Sequence, residues 1–305
     1  MVDDTFTDGG FGFQWHITNR CAGRCSHCYQ PDDADERELP VDALKRIADG
    51  IMSAVSGPVT INVTGGEPLM YQYHGQSRGV FELISHLSTF DNLGELNIIT
   101  SARGMDRSVI RTLKSLPKLS YVKVSLESHD PQTDDSIRGL GHFRMAVDEI
   151  RQMSEAGLRV IIMATLSGRN YQSAAGLCAL AGDLGTHGVI FERFVPLGRA
   201  AKAMHGEAVT PNEWREILSA ISAVTQAPIE DLFPYKAFWV DGDSVSGAPC
   251  CLGPASMALM PDGTVYPCRR VPDPIGKLPD DGMGAILKKL EEYASAPQKC
   301  YDFGC

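Results

Sequence analysis

Long apolar runs are missing from this chain of 305 residues. No stretch approaches the roughly 20 residues that a membrane-crossing helix needs, so no membrane association is expected. Basic clusters are missing too. The formal net charge is −10, and no run of Lys and Arg with interleaved aromatics occurs. That argues against nucleic acid as a partner, because phosphate contacts need gathered cations. The first residues, Met1-Val2-Asp3-Asp4-Thr5, lack the basic start and apolar middle of a secretory signal, and a cytoplasmic, reducing location is the expectation. Neither an internal repeat nor a low-complexity segment is visible. Cysteine is nearly absent from the middle of the chain: only Cys178 lies between Cys28 and Cys250. The other eight crowd into two groups, three in residues 21–28 and five in 250–305. In a reducing compartment such placement reads as metal ligation rather than disulfide pairing. Cys178 falls in a helical pattern and reads as a core residue.

What is present is a regular alternation. The length allows one large domain or two modest ones. Strands are expected at 11–18, 58–64, 96–100, 121–126, 158–166 and 188–195, and helices at 41–55, 80–90, 106–116, 143–156 and 173–184. Short β-branched strands alternating with amphipathic helices imply a parallel sheet with helices outside. The fold class is therefore α/β, either a partial (β/α)6 TIM-like barrel or an open doubly wound sheet. In both, ligands gather at the C-terminal ends of the strands. Beyond residue 196 the character changes. Thr210-Pro211-Asn212-Glu213 is a capping box that opens a helix to about residue 224. Residues 226–249, rich in Pro, Gly and Asp, read as a linker. Residues 256–260 and 264–267, joined by Pro261-Asp262-Gly263, read as a hairpin, followed by a helix at 283–294. The expected units are 1–200, 201–248 and 249–305.

Cys21-x3-Cys25-x2-Cys28 directly follows the first strand, with Gly23 allowing a tight wrap and Arg20 and Arg24 offsetting thiolate charge. Four irons of a cluster normally want four ligands. Three cysteines leave one iron open, which the amino and carboxylate groups of an amino acid can chelate. Zinc binding, with His16 or His27 supplying nitrogen, and plain structural thiols are the alternatives. The segment, closed by Tyr29, resembles the signature of the radical S-adenosylmethionine (SAM) superfamily, in which the aromatic residue contacts the adenine region.

That resemblance extends to the later strand ends. Gly65-Gly66-Glu67-Pro68 matches the family's motif for the methionine amino group. Two residues without Cβ let a ligand near the backbone, although a plain strand-to-loop turn is the simpler reading. Ser125 and Glu127 stand where the family reaches ribose and carboxylate, and many relatives carry Asp at the position of Glu127. Arg138 is the resemblance's candidate for the cofactor carboxylate, against a solvated surface Arg. Asn170 is assigned to ribose contact or to capping the helix at 173–184. The segment Phe194-Val195-Pro196-Leu197-Gly198-Arg199, with Val195 as the contact residue, resembles the adenine-facing segment.

Cys250-x2-Gly253, Asp262-Gly263-x4-Cys268 and Cys300-x4-Cys305 form a second thiol set. It resembles the SPASM and twitch modules of radical SAM enzymes, which implies one auxiliary cluster, [4Fe–4S] in type, on Cys250, Cys268, Cys300 and Cys305. Cys251 competes with Cys250, and a zinc ribbon is the alternative. The implied chemistry is one-electron cleavage of SAM to a 5′-deoxyadenosyl radical that abstracts hydrogen from substrate. The implied partners are an electron donor such as flavodoxin or ferredoxin, and a peptide or small-molecule substrate, the peptide brought in some relatives by a separate delivery protein. Oxidative peptide modification is the leading expectation, small-molecule oxidation the second, and a non-catalytic iron–sulfur or zinc protein the third. No catalytic acid or base is assigned. Glu192, Arg193 and Asp241 are unranked candidates.

Overall fold

A computed structural model describes residues 10–31, 37–73, 76–77, 79–248, 252–271 and 273–294. In chain order the elements are β1 (Phe11–His16), α1 (Val41–Ala54), β2 (Val59–Thr64), β3 (Gln72–Tyr73), β4 (Gln76–Ser77), α2 (Gly79–Leu87), β5 (Leu93–Thr100), α3 (Arg107–Ser115), β6 (Leu119–Ser125), α4 (Pro131–Arg138), α5 (His142–Glu155), β7 (Val160–Leu166), α6 (Ala174–Asp183), β8 (Val189–Arg193), α7 (Ala200–Ala203), α8 (Pro211–Thr225), α9 (Ile229–Leu232), β9 (Ala237–Asp241), β10 (Ser244–Ala248), β11 (Ser256–Leu259), β12 (Thr264–Tyr266), β13 (Gly276–Lys277) and α10 (Met283–Ala294).

One sheet runs β10-β9-β8-β7-β6-β5-β2-β1-β11-β12-β13. Its central strands, from β8 through to β11, are all parallel, and antiparallel hairpins flank them on both sides. The end strands β10 and β13 do not pair with each other, so the sheet is open. This is the expected α/β architecture with parallel strands, a partial rather than a closed barrel.

Period-two side-chain alternation explains which face does what. In β1, Phe11, Phe13 and Trp15 are buried on the face opposite to Gly12, Gln14 and His16. In α1, Val41, Leu44, Ile47, Ala48, Ile51 and Met52 are buried at helical spacing and join one continuous core. The inward face of the sheet is polar instead. Lys123 donates to Asn62 Oδ1 at 3.0 Å and lies 3.7 Å from Glu95, while Asn97 donates to both of those partners. A polar inward face implies a chamber rather than a packed interior.

One expectation needs correction. The segment 226–249 is not a plain linker: it holds α9 and the hairpin β9–β10, whose β9 pairs antiparallel with β8. Residues 130–135 open a further helix, α4. Asp130 accepts from Thr133 N at 2.8 Å, Pro131 occupies the first helical position, and Gly139 ends α4, which is the usual order of start and stop signals. The capping box at Thr210 and Glu213 forms as read, as does the hairpin β11–β12. Among the described residues, no helix is long and apolar enough to cross a membrane.

Candidate active site

The loop after β1 carries Cys21, Cys25 and Cys28, all free and partly buried, and the backbone around it is pinned from several strands. Gly66 N donates to Thr18 O and Glu67 N to Arg20 O from the loop after β2. Ser26 N donates to Ile137 O on α4, while Ala200 N and Arg199 N donate to Cys28 O and Gln30 O. Arg199 Nη1 reaches Cys25 O at 3.2 Å. Near the start of the loop, the Thr18 hydroxyl donates to Glu38, which sits 3.6 Å from Arg20 Nε. The glycines of Gly65-Gly66 are explained by this docking. A Cβ at Gly65 would lie 2.5 Å from Thr18 O, and one at Gly66 would lie 2.4 Å from Arg20 O. Their missing Cβ atoms admit the cysteine loop itself.

Cys21 and Cys25 converge on Gly23, where a Cβ would stand 3.5 Å from each sulfur, and Gly23 N donates to Cys21 Sγ at 3.3 Å. Burial pushes the thiols of Cys21 and Cys28 up, so a metal centre must displace their protons on binding. Among the described residues, no group of three His, Cys, Asp or Glu side chains closes on one point as ligands of a single ion do. Thiolates that each bind a different iron of one cluster stand wider apart, and the Gly23 loop suits that arrangement.

The polar residues expected around the cofactor are mostly employed by the protein. Glu67 is fully buried. Its carboxylate accepts from Thr100 Oγ1 (2.7 Å), Ser101 N (2.8 Å), Ser101 Oγ (2.6 Å) and Leu69 N (3.3 Å), and burial raises its pKa. It locks the loop after β2 to the end of β5. Pro68 follows as the start of a short 3-10 turn, so what this motif presents outward is backbone. Glu127, also fully buried, binds Arg138 through Nε at 2.7 Å and Nη2 at 2.6 Å, and accepts from Thr165 N at 2.7 Å. Burial opposes its charge, yet Arg138 and then His27 outweigh that and hold the carboxyl below its usual range. Arg138 is no surface Arg. Its Nη1 lies 3.9 Å from Cys25 Sγ, and its pKa is raised because Glu127, Cys25 and Asp134 overcome burial. Asn170 neither caps with its side chain nor faces outward. It is buried and ties Glu127 O, Thr165 O and Ser167 N together.

Tyr29 directly follows Cys28 at the end of the cysteine loop. Its ring meets His16 edge-on at 5.8 Å and carries the Arg269 guanidinium at 4.0 Å, and burial pushes its phenol up to about 12. Gly198 holds φ of +59°, and a Cβ there would strike Tyr29 O at 2.1 Å. That contact seats the Val195–Arg199 segment on the motif. Ser125 ends β6 on the inward face beside Met163. Glu192 lies at the C-terminal end of β8, whereas Arg193 stacks on Trp214 at 3.8 Å. Asp241 pairs beyond Val189, at the opposite end of the sheet, which removes it from the site. Of the second cysteine set only Cys268 is described, with Arg270 N donating to its Sγ at 3.5 Å; Cys250, Cys251, Cys300 and Cys305 lie outside the described residues. Cys178 is half-buried in α6, its thiol pushed up to about 11 by burial.

Residues that sequence reasoning missed include His27 as a structural partner, Thr100-Ser101 and Arg103. His27 lies 3.3 Å from Glu127, and burial lowers it to about 4 despite that carboxylate. Several buried polar atoms around the loop have no hydrogen-bond partner among the described residues: both nitrogens of His16, His27 Nδ1, Arg103 Nε and Arg269 Nε. Orphaned buried polar groups gathered at one place suit a polar ligand. The residues present therefore fit a three-thiolate iron–sulfur cluster with a polar cofactor beside it.

One prediction concerns pH. Burial, with Arg269 nearby, holds His16 well below 6.5. Unfolded, it takes up a proton below about 6.5; folded, it stays neutral. The unfolded state then binds more protons, so stability falls as pH drops through that range. The metal-free protein should lose urea resistance from pH 7 to pH 5, with His27 adding in the same direction. His16→Leu should flatten that slope by up to about 1.4 kcal/mol per pH unit. An unchanged slope in urea titrations would count against a buried neutral His16.

The family described as Radical SAM superfamily matches residues 15–181. GTP 3′,8-cyclase of Petrotoga mobilis is 25% identical over 292 residues, 90% of this chain and 87% of that protein. The subtilosin biosynthesis protein AlbA of Bacillus subtilis is 22% identical over 260 residues, and this chain spans about half of its length (54%). Among solved structures, anSMEcpe with bound AdoMet superposes with a TM-score of 0.72 at 14% identity, covering 94% of this chain and 84% of that one. Streptococcus suis SuiB bound to its precursor peptide SuiA gives 0.66 at 14% identity, covering 87% and 60%. These two show likeness of fold. With the family match spanning the cysteine loop and the strands that pin it, the chain belongs to the radical SAM superfamily.

Proposed function

We propose that this radical SAM enzyme modifies a peptide oxidatively, forming a crosslink or an oxidised residue. When bound, the cluster and SAM supply a 5′-deoxyadenosyl radical that abstracts hydrogen from substrate. Cys21, Cys25 and Cys28 would hold the cluster. The Gly65–Pro68 backbone, Ser125, Tyr29 and Val195 would line the cofactor. Glu67, Glu127 and Arg138 would fix the surrounding backbone and charge. The parallel strands orient both partners at their C-terminal ends, and the surrounding loops limit water. Cys250, Cys268, Cys300 and Cys305 would carry an auxiliary [4Fe–4S] cluster able to accept an electron from the substrate radical, within a C-terminal unit at 249–305 that follows a core at 1–200 and an intervening segment at 201–248.

The observation that carries the peptide reading is the open sheet. Because β10 and β13 do not close on each other, a chain longer than a closed barrel admits can cross the polar inward face. The relative named for subtilosin biosynthesis and the fold shared with a precursor-peptide complex support it. The second reading, cyclisation or oxidation of a small molecule, is favoured by the cyclase relative that matches along 87% of its length. The test is anaerobic incubation of the reconstituted enzyme with SAM and peptides encoded beside its gene. Loss of two hydrogens by mass is expected. Cleavage of SAM with every peptide unchanged would move the assignment to a small molecule.

A further inference from the structure

Two guanidinium groups meet the cysteine loop, one from α4 and one from the turn after β5. Arg138 closes α4, with 7% of the residue exposed. Its Nε and Nη2 hold Glu127 at 2.7 and 2.6 Å, which leaves Nη1 directed at Cys25 Sγ, 3.9 Å away. The sulfur therefore meets the guanidinium side of this ion pair. Arg103 leaves a turn that is itself fixed. Ser101 N and Oγ donate to Glu67, and Ala102 N donates to Thr100 Oγ1 at 3.0 Å. Ala102 holds φ of +62°, a left-handed conformation that costs an L residue about 1–3 kcal/mol, and this sets where Arg103 departs from the backbone. Arg103 Nη2 donates to Arg138 O at 2.9 Å. Its Nε would lie 3.2 Å from a Cβ on Gly23, the same point that the sulfurs of Cys21 and Cys25 approach to 3.5 Å. That Nε is buried and has no hydrogen-bond partner among the described residues.

Charge so placed acts on whatever the thiolates hold. An iron–sulfur cluster gains one negative charge on one-electron reduction, and its potential responds to nearby charge and to hydrogen bonds on the sulfurs. A guanidinium stays charged at any working pH, so it favours the reduced, more negative form. Burial weakens the screening that would otherwise blunt this effect. The loop backbone is pinned separately at Thr18, Arg20, Ser26, Cys28 and Gln30, and none of those bonds uses either guanidinium.

We propose that Arg103 and Arg138 set the reduction potential of the cluster on Cys21, Cys25 and Cys28, raising it by holding positive charge against Cys25 and Gly23. Both are positioning residues, since they act on the cluster through its thiolates. The inference rests on the assignment of the cluster to this loop. One electron passes from an external reductant to the cluster, with no bond made or broken and no proton moved.

The test is a potentiometric titration of the reconstituted holoenzyme with dithionite and redox mediators, read by electron paramagnetic resonance without SAM or peptide. The signal followed is the one that the triple variant Cys21→Ala/Cys25→Ala/Cys28→Ala lacks. Arg103→Gln should lower the reduced-to-oxidised ratio at a fixed potential about threefold or more. The double variant Glu127→Gln/Arg138→Met, which leaves neither charge behind, should lower it about tenfold, equivalent to ~59 mV for one electron. Glu127→Gln alone strips the pair of its carboxylate and should shift the ratio the other way. A shared structural disturbance would move these last two variants in one direction. Arg103→Lys keeps the charge and should restore most of the wild-type ratio, while Lys288→Gln, on the exposed face of α10, removes an equal charge and should change nothing. Arg103→Gln no further from wild type than Arg103→Lys, or shifts of one sign in Glu127→Gln and the double variant, would overturn the proposal. Should the double variant fail to fold, the two Arg103 variants decide the question. A triple variant that keeps every signal would instead overturn the cluster assignment, and the proposal with it.

Discussion

Replacing Cys21, Cys25 and Cys28 together by Ala removes about four irons per chain and abolishes reductive cleavage of SAM. The effect is expected to be complete. The three thiols sit on one loop whose backbone is held by β2, α4 and the segment after β8, and they are the ligands the cluster would use. Cys268, the described member of the second set, lies on the loop after β12. Its replacement should remove a separate set of about four irons and leave some cleavage. Iron analysis and chromatography of 5′-deoxyadenosine read both outcomes. Full cleavage by the triple variant would exclude this loop as the cluster site.

Glu127→Ala should cost about 3–5 kcal/mol of stability, the usual penalty when one partner of a buried pair is removed. The Arg138 guanidinium would keep its charge, because arginine does not deprotonate in proteins, and only 7% of the residue reaches solvent. It would also be left against the cysteine loop with its orientation undefined. Adding Arg138→Met should restore much of the lost stability, since the charge itself is then gone, although the cofactor site would remain impaired. The pair also sets an acid limit. Glu127 has a lowered pKa in the folded state, so its contribution is present above the unfolded carboxyl pKa and is lost as pH falls through the folded one. Urea midpoints of wild type and both variants at pH 7, compared with pH 4, check each statement. A loss below about 1 kcal/mol for Glu127→Ala would fit an exposed pair and contradict the buried geometry.

The parallel sheet was legible because its strands are short β-branched runs and its helices bury one face at helical spacing, as in β2 and α1. The cysteine loop was legible because spacing alone carries it. What stayed hidden depends on contacts distant in sequence. Nothing near Gly66 announces that its missing Cβ makes room for Arg20, and nothing near Arg138 announces Glu127 as a buried partner. Thr100 and Ser101 look like any strand end until Glu67 folds onto them. The β9–β10 hairpin was obscured because Asp241-Gly242-Asp243 and the glycines around it resemble linker composition, although the same residues make a tight turn. Arg269 had one available signal, its place directly after Cys268.

β11 lies beside β1, in register from Gly12 with Ser256 to Trp15 with Leu259. The strand that leads into the cysteine loop is thus completed by a strand far along the chain. Until that strand is made, β1 presents an unpaired edge, the kind of surface that recruits other chains. Pairing across so much sequence is also slow. Truncations that remove β11 should therefore aggregate during expression rather than yield a smaller working core, and iron insertion should follow synthesis of β11.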